Sequence, residues 1–154
     1  MPEIAPAGDF TPNIDRLFTE RSMVLQAWGA YGTLWPVVHH QLGVSPDLGR
    51  ATVKVAPQIP EGQHRIAGSN IRLGDGAIDV EATRRRDQLT TTVNLRVDAA
   101  LTIGHVLPPG ASVHAVHLDG QRVDNDIVDT ARGREVLVEA GAALGRHSLR
   151  IKLQ

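Results

Sequence analysis

Residues 22–44, SMVLQAWGAYGTLWPVVHHQLGV, contain no Asp, Glu, Lys or Arg, and this uncharged run restricts the possible folds more than any other stretch of the chain. Val24, Trp28, Tyr31, Trp35, Val38 and Leu42 recur at helical spacing, and Met23, Ala27, Ala30, Leu34 and Val37 form a second apolar stripe beside them. A helix apolar on every face belongs inside a larger body, so the run is expected to be buried on all sides. Asn13 or Asp15 can cap its first turn. The helix is predicted from near Asp15 to about Leu42, with Gly43 just past its end and Pro46 preventing continuation. Pro36 lacks a backbone donor and presses its ring on the carbonyl of Gly32, which predicts a kink or local opening there. Gly29 and Gly32 lower intrinsic helicity, so packing has to hold the segment in place.

A membrane span of about 20 apolar residues is the competing reading of such a run. Gln26, Thr33, Pro36, His39, His40 and Gln41 interrupt it, and no Lys or Arg cluster flanks it to set an orientation. The buried helix is therefore the expectation, with no membrane partner.

The rest of the chain has a different character. Phe10, Phe18, Trp28, Tyr31 and Trp35 are all of its aromatic residues, so everything after Trp35 must build a core from Val, Ile, Leu and Ala. From Thr52 the hydrophobic period changes from helical to two. Val53 and Val55 make a short strand ending at Pro57. Ile71 and Leu73, then Asp75-Gly76, then Ile78, Val80 and Ala82 read as a hairpin with its turn at Asp75-Gly76. Leu89, Thr91, Val93, Leu95 and Val97 alternate with polar residues in the cleanest strand. Residues 101–106 and 113–118 follow, with Asp119-Gly120 as a second hairpin turn, a strand near Gln121, another at Val136 and Val138, and a last one through Leu149, Ile151 and Leu153. Eight to ten short strands with frequent turn signals predict an antiparallel β-sandwich of Greek-key type. The fold class is thus mainly β, one long buried helix preceding the sandwich. The expected organisation is a loop over residues 1–14, a helical segment over 15–49 and a β-sandwich over 50–154. The sandwich would cover one stripe of the helix, which leaves the other to a partner.

With 154 residues and a formal net charge of −1, the chain is one domain, or one small domain plus a piece of another, and has no global field for nucleic acid. It has no cysteine, which excludes disulfides and thiolate chemistry. The first residues, MPEIAPAGDF, lack a basic region followed by an apolar one, so the expected compartment is cytoplasmic.

Few residues announce chemistry. Arg84-Arg85-Arg86, followed by Asp87, reads as a solvated turn. His39 and His40 diverge on a helix, and His114 and His117 fall on opposite faces of a strand, so neither pair makes a zinc site. His39 and His40 instead cap helical carbonyls or line a cleft. Asp124-Asn125-Asp126 with Asp129 lacks the glycine and terminal glutamate of a calcium loop and reads as a polar turn. No metal or cofactor is expected. The aromatic residues of the helix are first of all core, yet Trp and Tyr with polar tips also line sugar clefts.

The order of several short motifs carries a resemblance. Pro2-Glu3, a loop, Gln26-Ala27-Trp28, Leu42-Gly43-Val44-x-Pro46-Asp47, Val53-x-Val55-x-Pro57 and Gly68-Ser69-Asn70-Ile71-Arg72-Leu73-Gly74 resemble the C-terminal end of bacterial six-hairpin glycoside hydrolases. The nearest members are glycogen-debranching, amylo-α-1,6-glucosidase-like proteins, and α-L-rhamnosidases are more distant. The resemblance implies an (α/α)6 barrel holding the active site, whose last helix carries Gln-Ala-Trp ahead of a small β-sandwich. It implies that Glu3 matches an active-site carboxylate and that Gln26 and Trp28 lie near the barrel mouth; together with Tyr31, whose ring has a polar tip, these two are the expected substrate-binding residues. Glycoside hydrolysis generally needs two carboxyl groups flanking the scissile bond. At most one is expected here, so the chain alone is predicted to be inactive, its parent acting on α-glucan-type carbohydrate. The alternative is a stand-alone structural or interaction protein whose helix packs against a partner subunit or a second copy.

Overall fold

In the computed structural model the described residues are 27–142 and 144–154, with side chains described from Tyr31 onward. The predicted onset near Asp15 lies outside them. Helix α1, Ala27–Trp35, passes at Pro36 into a π-helical segment, Pro36–Gln41. The opening predicted at Pro36 takes this form: a proline cannot donate into the α ladder, and the wider π turn relieves its ring against the preceding carbonyl. Among the described residues, the burial expected of the helix is not found from Tyr31 to Val37. Every side chain from Tyr31 to Val37 is exposed, Leu34 at 63% and Tyr31 at 59%. A charge-free sequence records that a segment is made for apolar surroundings. It does not record whether those surroundings belong to the same polypeptide.

The chain divides into two units between Val37 and Val38. The second unit is a two-sheet β-sandwich. One sheet contains β1 (Val44–Asp47), β2 (Thr52–Val55), β6 (Ala100–Val106), β10 (Gly133–Ala142) and β9 (Asp126–Thr130), in that spatial order. The other contains β3 (Arg65–Leu73), β4 (Gly76–Arg85), β5 (Gln88–Leu95), β11 (Gly145–Leu153), β7 (Val113–Leu118) and β8 (Gln121–Arg122). All neighbours are antiparallel except β2 and β6, which run parallel with Thr52 opposite Ala100 and Val55 opposite Ile103. That pair is parallel because the chain leaves the first sheet after β2, builds three strands of the second, and returns alongside its starting point.

The two faces of each strand follow the period-two pattern. Leu89, Thr91, Val93 and Leu95 of β5 are buried, while the residues between them are partly exposed. They meet Val53, Val55, Leu101, Ile103, Val136 and Val138 from the facing sheet. The core is built from Val, Ile, Leu and Ala, as the absence of later aromatic residues requires.

Two strands have no strong sequence signal. β1 is an edge strand in which Pro46 is tolerated, opposite Val53. β9 falls where a polar turn was expected: Asp126 and Asp129 occupy a sheet edge, where charge is favoured because it discourages further pairing. One turn is shifted. The β3–β4 hairpin turns at Gly74 and Asp75, with Leu73 opposite Gly76, instead of at Asp75-Gly76. Gly76 opens β4, and the position requires glycine because a Cβ there would stand 2.2 Å from the carbonyl oxygen of Arg96. The turn at Asp119-Gly120 is as predicted, both residues having positive φ.

Candidate functional site

On β6, Leu101, Ile103 and His105 share the inward face, so a histidine continues the row that two apolar residues begin. On β5, Thr91 takes a core position between Leu89 and Val93. These two polar side chains meet across the sandwich. The Thr91 hydroxyl donates its one hydrogen to the carbonyl of Gly104 at 2.8 Å, so toward His105 it can only accept, and Nδ1–H of the ring donates to it at 2.9 Å. His105 is therefore the tautomer with its lone pair on Nε2. Burial pushes its pKa down to about 4, with the Arg84 guanidinium acting in the same direction, so the ring is neutral at pH 7. His105 lines a cleft of about 610 Å³, with Arg84 and Glu61 at its polar side and Pro60, Leu107 and Pro108 among its apolar walls.

A second polar centre braces the start of the sandwich. Glu135 of β10 is 1% exposed and accepts from Lys54 Nζ at 3.1 Å and from Arg132 Nη2 at 2.6 Å. Burial opposes its ionisation, but the hydrogen bonds from Arg132 and Lys54 more than offset this and hold the carboxyl below the usual carboxylate range. Arg132 also donates to the carbonyl of His40 through Nη1 and to that of Ala56 through Nη2, each at 2.9 Å. One guanidinium thus pins the segment before β1 and the end of β2 to the β9–β10 hairpin. On the outer face of the second sheet, Asp79 accepts from Arg96, from Asn94 at 3.2 Å and from the backbone N–H of Asn70 at 2.7 Å. These bonds hold its carboxyl well below the usual range. Asn70 has φ +53 in a bulge between Gly68 and Ile71, and the Asp79 bond fixes that bulge.

The residues singled out from sequence are dispersed or lie elsewhere. Glu3 and Gln26 fall outside the described residues. Trp28 is placed by its backbone within α1. Tyr31 stacks on Trp35, their ring centroids 5.1 Å apart. His40 lines the cleft beside His105. Arg84 and Arg85 end β4 and Arg86 is in the turn, all three exposed. Among the described residues no group of three His, Asp or Glu is disposed to hold a metal ion, and no helix is long and apolar enough to cross a membrane. Sequence reasoning passed over Thr91, His105 and Glu135 as functional candidates. For the first two a signal existed: each is a polar residue in phase with an apolar row.

No protein-family model matches the sequence, and no curated protein matches it. Among solved structures, the chain is similar to an α-L-rhamnosidase from Dictyoglumus thermophilum, with a TM-score of 0.61 and 9% identity over 87% of this chain and 15% of that one. It is also similar to a GH31 dextranase from Flavobacterium johnsoniae complexed with isomaltotriose, with a TM-score of 0.48 and 8% identity over 67% of this chain and 17% of that one. The first likeness defines a fold. The chain is a two-sheet, mainly antiparallel β-sandwich of a kind that forms part of an α-L-rhamnosidase, and it spans less than a fifth of either enzyme.

Proposed function

We propose that this chain is the C-terminal part of a six-hairpin glycoside hydrolase of debranching-like type, acting in the cytoplasm on α-glucan oligo- or polysaccharide. The sandwich braces the catalytic barrel and the helix completes it. The observation that carries this reading is the fold likeness to α-L-rhamnosidase, which takes in nearly all of this chain and a small part of that enzyme. The exposed Tyr31, Leu34, Trp35 and Val37 support it, because a helix with such a face is made for an apolar neighbour. In this reading Glu3 is a barrel carboxylate, and Gln26, Trp28 and Tyr31 border the substrate, where the tyrosine ring offers an apolar face and a polar tip to a sugar. The isolated chain supplies at most one of the two carboxyl groups that glycoside hydrolysis needs, so it does not turn over substrate.

Two measurements test the proposal. The DNA immediately upstream of the reading frame is expected to encode an (α/α)6 barrel in frame; a translation start at Met1 with no such sequence, together with a dimer in solution, would favour the interaction-protein reading instead. The purified chain is expected to be inert on glycogen-type and rhamnoside substrates. Reproducible turnover that disappears in Glu3→Gln would refute the division of labour.

A further inference from the structure

The cleft at His105 presents a neutral set of hydrogen-bonding groups. His105 is 1% exposed; because Nδ1–H is committed to Thr91, Nε2 carries the lone pair, and it has no hydrogen-bond partner among the described residues. Arg84 adds a donor and Glu61 an acceptor of opposite charge, so the cleft favours neither a cation nor an anion. An apolar ligand would strip water from all three groups without replacing their hydrogen bonds. Pro60, Leu107 and Pro108 supply non-aromatic apolar surface against which the C–H face of a saturated ring can lie. The volume, about 610 Å³, is within the range of small-molecule sites.

We propose that this cleft binds a small neutral carbohydrate, one ligand hydroxyl donating to His105 Nε2 and a neighbouring hydroxyl accepting from Arg84. The ring rests on the proline wall, and Glu61 accepts from a further hydroxyl. Thr91 is the positioning residue: by taking Nδ1–H it fixes the tautomer that leaves Nε2 able to accept. This site goes beyond the accessory role proposed above and requires no attached barrel, so it can fail while that reading stands, and the reverse.

The test uses the 154-residue chain, labelled with 15N and titrated with D-glucose, maltose and L-rhamnose. At least one sugar is expected to give saturable shifts with a Kd on the order of 1 mM, the level that a ligand of about a dozen heavy atoms reaches at ordinary efficiency. The His105 Nε2 resonance is expected to lie at the position of an unprotonated nitrogen and to move on saturation as it accepts a hydrogen bond. Arg84→Ala is expected to weaken binding about tenfold, equivalent to the loss of one charge-assisted hydrogen bond, with no change in the urea midpoint because the side chain is exposed. No saturable shift with any of the three sugars, an Nε2–H tautomer, or binding indifferent to Arg84→Ala would each overturn the proposal.

Discussion

Gly43→Ala tests how the chain enters the sandwich. Gly43 has φ +67, and a Cβ on it would stand 2.0 Å from the carbonyl oxygen and 2.3 Å from the carbonyl carbon of Ala56. The left-handed conformation alone costs an alanine about 1 to 2 kcal/mol. The contact cannot be relieved by a rotamer change, because both obstructing atoms are backbone. Residues 43 and 56 must move apart, which breaks the Ala56 N–H bond to Gly43 O at 3.1 Å, worth about 1 kcal/mol. The same movement pulls the Ala56 carbonyl from Arg132, a charge-assisted bond of 2.9 Å worth about 1.5 kcal/mol or more. Together the substitution costs about 4 kcal/mol, a large part of the about 5 to 15 kcal/mol that holds a domain folded. Gly62→Ala is the control: φ is +78 there, but a Cβ would meet nothing within 4 Å, so only the conformational cost of about 1 to 2 kcal/mol applies. Urea denaturation followed by far-UV circular dichroism reads both variants. If Gly43→Ala costs no more than Gly62→Ala, the close approach of Gly43 to Ala56 does not exist in solution and the account of this junction is wrong.

Acid lability and the helix face supply the remaining tests. Folding holds His105 neutral with a pKa near 4, against 6.5 for the free side chain, so the unfolded chain takes up a proton more readily and stability rises with pH between those values. The contribution is complete above pH 6.5; on going from pH 7 to 5, before most carboxylates titrate, it falls by about 2 kcal/mol, a component that His105→Gln should remove from the pH profile of the urea midpoint. An unchanged profile in the variant would show that the ring is hydrated or protonated in the folded chain. Trp35 is 42% exposed and stacked on Tyr31, so Trp35→Ala should cost about 2 kcal/mol, the aromatic pair plus the covered part of the ring, where a fully buried ring would cost about 3 to 5 kcal/mol. A loss in the upper range would mean that the ring is enclosed.

What the sequence determined by itself was local. The alternation through Leu89, Val93 and Leu95 gave a strand and its buried face, because successive side chains of an extended backbone point to opposite sides. Asp119-Gly120 gave a turn, since both residues adopt positive φ cheaply, and Gly43 and Pro36 marked the end of the helical segment and its opening. The tertiary structure alone decided partners. Nothing near β9 declares it a strand; β10 supplies the ladder that makes it one. The parallel pairing of β2 with β6, the close approach of the Arg96 carbonyl to Gly76, and the ion pair between Lys54 and Glu135, 81 residues apart, depend on which segments become neighbours. Periodicity shows that Thr91 and His105 face inward, but each looks like a misplaced polar residue until the sheets bring them together. A sequence specifies faces through the geometry of its own backbone. Pairing across a core is specified by the summed fit of many such faces, and no single stretch contains that sum.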